Sequence, residues 1–163
     1  MDERSLKWHT RFMDLATEIG SWSKDPSMKV GSVIVDADRT ILGTGYNGFP
    51  RGVDDSEDWL NHRPTKYMTV IHAELNAILS SHVVLKHHAP TLYCSTGVPC
   101  PDCMKHIIQA GVVRVVFPPQ FIRNGSTPTN SAVDWDERAQ HSRIMAAQSG
   151  VELVLLDGYP TRG

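Results

Sequence analysis

The chain has 163 residues, with 40% hydrophobic and 21% charged side chains and a formal net charge of -2, and its pI lies near 6.4. No apolar run approaches the roughly 18 residues that a membrane-spanning helix needs, and an acidic balance without a basic tail speaks against a broad nucleic-acid surface. The opening Met-Asp-Glu-Arg lacks a signal-peptide pattern, so a cytoplasmic, single-domain protein over residues 1–163 is expected.

In chain order, Leu6, His9, Phe12, Met13, Ala16 and Ile19 recur at helical spacing until Ser23-Lys24-Asp25-Pro26 breaks the pattern. Val30–Val35 and Ile41–Tyr46 read as strands joined by the polar turn Asp36–Arg39, which predicts a hairpin. A long segment, Gly48 to Thr69, follows. His72-Ala-Glu-Leu-Asn-Ala-Ile-Leu79 then opens a helix with Leu75, Ile78 and Leu79 placed for burial. Thr91–Ser95 is a strand, and Pro101, a residue favoured at the first helical position, starts a helix running through Met104 to Ala110. Val112–Phe117 is apolar enough for a strand covered on both faces. A second long segment, Pro118 to Val133, precedes a helix over 134–148 and a last strand, Val151–Leu156. The strand, helix, strand order of this half predicts right-handed crossovers between parallel strands. Loops beyond about 12 residues without structure of their own are usually functional or disordered, and the two long segments are expected to wall a pocket.

The chemistry concentrates in His72-Ala73-Glu74 and Pro99-Cys100-Pro101-Asp102-Cys103. Two thiolates and an imidazole suit zinc, and a tetrahedral site with three protein ligands keeps its fourth position for water, whose proton it makes acidic near neutral pH. Residues two apart diverge by about 200° around a helix, so His72 and Glu74 share a site only if it lies beyond the helix start. Cys100 and Cys103 flank a second helix start. Two helix N-termini then converge on one metal, and their positive dipole ends favour thiolate. Two other readings stand beside this one. Cys100 and Cys103 form a redox pair, which leaves His-x-Glu unexplained; or a structural zinc is closed by His106 or His82, which makes the chain a binding module. Cys94 is read as a small buried strand residue, unpaired as suits a reducing compartment.

His-x-Glu with Pro-Cys-x-x-Cys is the signature of zinc deaminases. Beyond it, Lys29–Val35, Gly43-Thr-Gly-Tyr-Asn-Gly-Phe-Pro50, Thr65-Lys-Tyr67, His72–Leu79, Pro99–Cys103 and Ile107-Ile-Gln-Ala-Gly111 resemble deoxycytidylate (dCMP) deaminases of the cytidine deaminase superfamily. The resemblance runs from about residue 8 to residue 117 and weakly through the last helix and strand. It implies a three-layer α/β/α fold on a mixed five-stranded sheet whose last strands are parallel, a homo-oligomer (hexamer or dimer), and hydrolysis of dCMP to dUMP and ammonia. It makes His72, Cys100 and Cys103 zinc ligands and Glu74 the proton shuttle. It also gives Asn47 a hydrogen bond to substrate, with a left-handed turn residue as the alternative, and gives the pyrimidine carbonyl to the amides of Ala73 and Cys100. Phe121 falls near the position of a base-packing Tyr, with core packing as its alternative. Lys24, Arg51, Lys66 and Arg123 are basic candidates for a phosphate, Lys24 and Arg51 foremost. Trp22 and Trp59 are read as buried aromatics before pocket walls.

The Gly43–Gly48 block resembles a region of the family that binds allosteric dCTP or dTTP with magnesium, against a plain turn as the simpler reading. Three departures from the pattern stand out. One extra residue lies between Tyr93 and Pro99, the segment 118–133 is long, and Val53 replaces a Cys of an additional zinc site found in some relatives, so one zinc per chain is expected. The altered loops keep open a zinc deaminase of another amino-heterocycle: a free base, a nucleoside, dCTP or a tRNA adenosine. A noncatalytic zinc or nucleotide-binding module is the third possibility.

Overall fold

The computed structural model describes residues 2–119 and 135–160, with Trp135 and Asp136 by their backbone alone. The chain starts with helix α1 (Glu3–Ser21), capped by Asp2, whose carboxylate accepts the Ser5 N–H at 2.8 Å. This satisfies an amide that the first helical turn leaves without an intrahelical partner. Phe12, Met13, Ala16 and Ile19 form its buried face. Leu6, expected with them, is 45% exposed.

Strands β1 (Gly31–Val35) and β2 (Ile41–Tyr46) form the expected antiparallel hairpin, with Val33 opposite Thr44 and an irregularity between Ile34 and Val35. Asp36 closes the turn by accepting the Thr40 N–H at 2.8 Å. The segment 48–69, expected as loop, contains two short helices, α2 (Glu57–Asn61) and α3 (Arg63–Thr69). Pro64 sits in the first turn of α3, and His62 caps it. These are ordinary start signals in runs too short to show a period.

Helix α4 (Ala73–Ser80) leads through a 3-10 turn, Leu85–His87, to β3 (Thr91–Cys94). Then come α5 (Pro101–Gln109), β4 (Arg114–Phe117), α6 (Trp135–Ser149) and β5 (Glu152–Leu155). The sheet order is β2-β1-β3-β4-β5. β1 is antiparallel to both neighbours, whereas β3, β4 and β5 run parallel. The expected mixed five-stranded sheet with parallel last strands is therefore present.

Alternation along the strands separates two cores. Val33, Val35, Tyr93, Val116 and Leu156 pack with Phe12, Met13 and Ala16 of α1. Ile34, Leu92, Cys94, Val115 and Phe117 pack on the opposite face with Ala77 of α4, Met104 and Ile107 of α5 and Ala146 of α6. The result is three layers, with the β3 C-terminal end between the starts of α4 and α5.

Helix α4 meets the sheet differently from expectation. Its buried residues are Ala73, Glu74 and Ala77, while Leu79 is 66% exposed. The cause lies in β2, where Gly43 and Gly45 face α4 on one side of the strand. A Cβ at either position would collide with the helix backbone at Ala73 or Ala77. Glycine against alanine lets the two backbones approach, so the small side of α4 turns inward and Leu79 outward. The Gly43–Gly45 stretch thus lies within the expected strand, in close packing, and the plain-turn reading of the Gly43–Gly48 block does not hold for it. Among the described residues no helix is long and apolar enough to cross a membrane.

Candidate active site

His72 is the N-cap of α4 and Cys100 the N-cap of α5, both in extended backbone, with Pro101 and Cys103 in the first turn of α5. An isolated bridge between Gly48 and Ile71 fixes the approach to α4, through paired bonds of 3.1 and 2.8 Å. The two helix starts bring His72 Nδ1 to 3.4 Å from Cys100 Sγ and 3.3 Å from Cys103 Sγ. Among the described residues this trio forms the only group of three or more His, Cys, Asp or Glu able to share a metal ion. His106 points elsewhere, with Nδ1 2.7 Å from the Asp102 carbonyl, and His82 is exposed. Neither supplies a fourth ligand.

The donor set fits zinc in kind and in spacing. Bond lengths of about 2.3 Å to sulfur and 2.0 Å to nitrogen at a tetrahedral angle separate S and N by about 3.5 Å, close to the distances found. The electrostatics point the same way. Hydrogen bonds from Cys103 and from His72 hold the Cys100 thiol far down, to about 3, and the bond to Cys100 pushes His72 up to about 9. Cys103, hydrogen-bonded to Cys100 and buried, is raised. Arg138 of α6 donates to Asp102 Oδ2 at 2.9 Å and interacts with Cys100, adding positive charge beside the thiolate.

Glu74, the second residue of α4, is 4% exposed and lies outside the ligand trio. Burial raises its pKa, partly opposed by His72. It accepts a hydrogen bond from Cys94 at the end of β3, with 3.6 Å between Sγ and Oε1. Nothing in the sequence signalled this pairing, because Cys94 lies 20 positions away and its type suits any buried strand.

A second buried polar network centres on Asn47 and Asp25. Asn47 accepts the Val30 N–H at 2.8 Å and donates to the Met28 carbonyl at 2.9 Å and to Asp25 Oδ2 at 3.4 Å. Asp25 also pairs with Lys66 at 3.1 Å, both side chains at most 7% exposed, and Lys66 donates further to Ser27. Lys66 is thereby committed to an internal ion pair and not to a surface. Lys24 is exposed and paired with Asp55 at 2.6 Å, and Arg51 is exposed. Phe121 and Arg123 lie outside the described residues. Trp22 and Trp59, expected buried, are 56% and 42% exposed, with edge contacts to Tyr46 and Phe49.

The Ser95 N–H donates to the Gly31 carbonyl at 3.0 Å, and the Gly31 N–H donates to Ser95 Oγ at 2.9 Å, so contact with β1 continues past Cys94. The chain then turns at Gly97, whose φ of 96° lies in the region open to glycine.

The chain is similar to known deaminases. The family profile described as the cytidine and deoxycytidylate deaminase zinc-binding region matches residues 6–118. A deaminase of the luxG 3' region in Aliivibrio fischeri is 40% identical over 153 residues, covering 92% of this chain and 94% of its own. Mouse deoxycytidylate deaminase is 44% identical over 120 residues, 69% of this chain and 65% of the mouse protein. The crystal structure of dCMP deaminase from cyanophage S-TIM5 in complex with dCMP and dUMP superimposes with a TM-score of 0.65 at 27% identity, covering 95% of this chain and 98% of the phage chain. The chain spans most of the Aliivibrio protein's length and just under two thirds of the mouse protein's. On the strength of the shared zinc-binding region, the chain belongs to the cytidine and deoxycytidylate deaminase family of zinc-dependent hydrolytic deaminases.

Proposed function

We propose that the chain hydrolyses dCMP to dUMP and ammonia, with His72, Cys100 and Cys103 holding one zinc per chain and Glu74 moving the protons. The observation that carries this reading is the three-donor trio at two helix starts with a buried carboxylate beside it that is not one of the donors. Zinc bound there acidifies a water and so supplies the nucleophile. Glu74 would pass one proton of that water to the ring nitrogen beside the reacting carbon and carry the other from the resulting hydroxyl to the departing amino group, so that the water oxygen becomes the new ring carbonyl and the nitrogen leaves as ammonia. The amides of Ala73 and Cys100 open α4 and α5 and, lacking intrahelical acceptors, serve the pyrimidine carbonyl. Asn47 reaches substrate by exchanging its longest bond, the 3.4 Å contact to Asp25. Lys24 and Arg51 are the phosphate candidates, and Phe121 the candidate for packing on the base.

The choice of dCMP is supported by the mouse relative and by the phage enzyme's complex with dCMP and dUMP. A homo-oligomer, hexamer or dimer, and a nucleotide effector accompanied by magnesium belong to the same family reading. Sedimentation velocity with and without dCTP and magnesium tests both.

The primary test is ammonia release by zinc-loaded protein across cytosine, cytidine, deoxycytidine, CMP, dCMP, dCTP and adenine and guanine compounds. Preference for dCMP is expected. Silence on dCMP with turnover elsewhere overturns the substrate and points to the Thr96–Val98 turn. Glu74→Gln is expected to keep its zinc and lose deamination, and unchanged turnover in that variant sinks the shuttle role.

A further inference from the structure

The family chemistry assigns no task to Cys94, yet this side chain touches the group on which turnover depends. It is the last residue of β3, the middle strand of the sheet, and it is 1% exposed. Strand alternation turns Tyr93 toward α1 and Cys94 toward α4 and α5. From there Sγ lies 3.6 Å from Glu74 Oε1, within reach of an S–H···O bond, and 3.9 Å from Thr96 Oγ1. Among the described residues it is the one side chain that hydrogen-bonds the Glu74 carboxylate. A glutamate carries three side-chain torsions, and α4 fixes only its backbone, so a donor anchored in the sheet restricts where the carboxylate points. Cys94 pairs with Ser32 of β1 and Ser95 continues the contact with that strand, so the register that directs the thiol to this face holds through the end of β3.

We propose that Cys94 is a positioning residue, its thiol donating to Glu74 and holding the carboxylate in the orientation for proton transfer. This rests on the reading of Glu74 as proton shuttle. The donor is in the right form for the task, since burial pushes the Cys94 thiol well up and keeps it protonated.

The chain has three cysteines, and in the zinc-loaded protein two of them are thiolates, so Cys94 is the only S–H group and its infrared stretching band reports on it alone. A band displaced to lower frequency than that of a free thiol, returning upward in Glu74→Ala, is expected. In the same protein Cys94→Val is expected to lower kcat about three- to tenfold, the range of one weak hydrogen bond. KM for dCMP and zinc content should stay unchanged, and Cys94→Ser should recover most of kcat. A free-thiol band that ignores Glu74→Ala overturns the proposal, as does wild-type kcat in Cys94→Val or an equal loss in Cys94→Ser. Should Cys94→Val fail to fold, the infrared comparison of wild type with Glu74→Ala decides alone. Residual turnover in Glu74→Gln sinks the shuttle reading itself, whereas an inactive Glu74→Gln beside an unaltered Cys94→Val sinks only the role of Cys94.

Discussion

Gly45→Ala is a substitution of one methyl group that is expected to disable the site from the far side of α4. An ideal Cβ at Gly45 would lie 2.7 Å from the Asn76 carbonyl carbon, and closer still to Ala77 N and Ala73 O, where ordinary contact begins at 3.4 Å. The helix must retreat by at least the difference, about 0.7 Å, and no rotamer change offers relief, because the obstructing atoms are backbone. Overpacking of this kind costs about 1–3 kcal/mol. The helix that retreats carries Ala73 and Glu74 and is entered by His72, while Cys100 and Cys103 stay with α5. Displacements of about 1 Å cost up to a hundredfold in rate when they separate reacting groups. The expected result is a stability loss of that size, weakened zinc binding in a competition titration against a chromogenic chelator, and kcat lowered by one to two orders of magnitude. Gly48→Ala is the control, since a Cβ there meets nothing within 4 Å, and it should bind zinc and unfold like the unsubstituted protein. A Gly45→Ala protein with unchanged zinc affinity, stability and kcat refutes the claim that glycine-to-helix contact sets the position of His72 and Glu74.

Two further outcomes follow from the buried polar groups, beside those stated for Glu74 and Cys94. Lys66→Met strands the Asp25 carboxylate, which is 6% exposed in its ion pair, and should cost about 3–5 kcal/mol in chemical denaturation. Adding Asp25→Asn should recover part of that, and a single-variant cost below about 1 kcal/mol contradicts the ion-pair account. His9, whose Nδ1 lies 2.9 Å from the Tyr93 hydroxyl, has its pKa lowered, mainly by burial and next by Arg114. Tyr93, pushed up to about 12 by burial, keeps its proton throughout. A His with a depressed folded pKa binds fewer protons folded than unfolded, so stability is retained above about pH 6.5 and falls as pH drops through the lower, folded value. Unfolding free energies measured between pH 7.5 and 5 should decline more steeply than those of His9→Gln; parallel curves contradict the assignment. The comparison is between variants, so the weakening of zinc binding by acid cancels.

The divide between what the sequence announced and what it concealed follows the distance over which each feature is determined. His72, Glu74, Cys100 and Cys103 occupy two windows of five residues or fewer, and each window also contains its own helix start, so ligand type and ligand placement are written in one local signal. The hairpin and the parallel half are equally local, through turn residues and strand, helix, strand order. Periodicity, in contrast, tells which residues of α4 share a face but not which face meets the sheet. Leu75, Ile78 and Leu79 looked like the buried set, yet the glycines of β2, some thirty residues earlier, draw Ala73 and Ala77 against the sheet, with Ile78 partly buried on the core and Leu79 exposed. Lys66 resembled a surface cation for the same reason: its partner Asp25 lies 41 positions away. The carboxylate of Glu74 combines both kinds of information. Its identity and helix position are local, whereas its orientation depends on Cys94 from the central strand and its distance from the thiolates depends on how closely β2 admits α4. Substitutions that spare every motif residue should therefore still separate zinc binding from turnover, with Gly45→Ala impairing both and Cys94→Val impairing turnover alone.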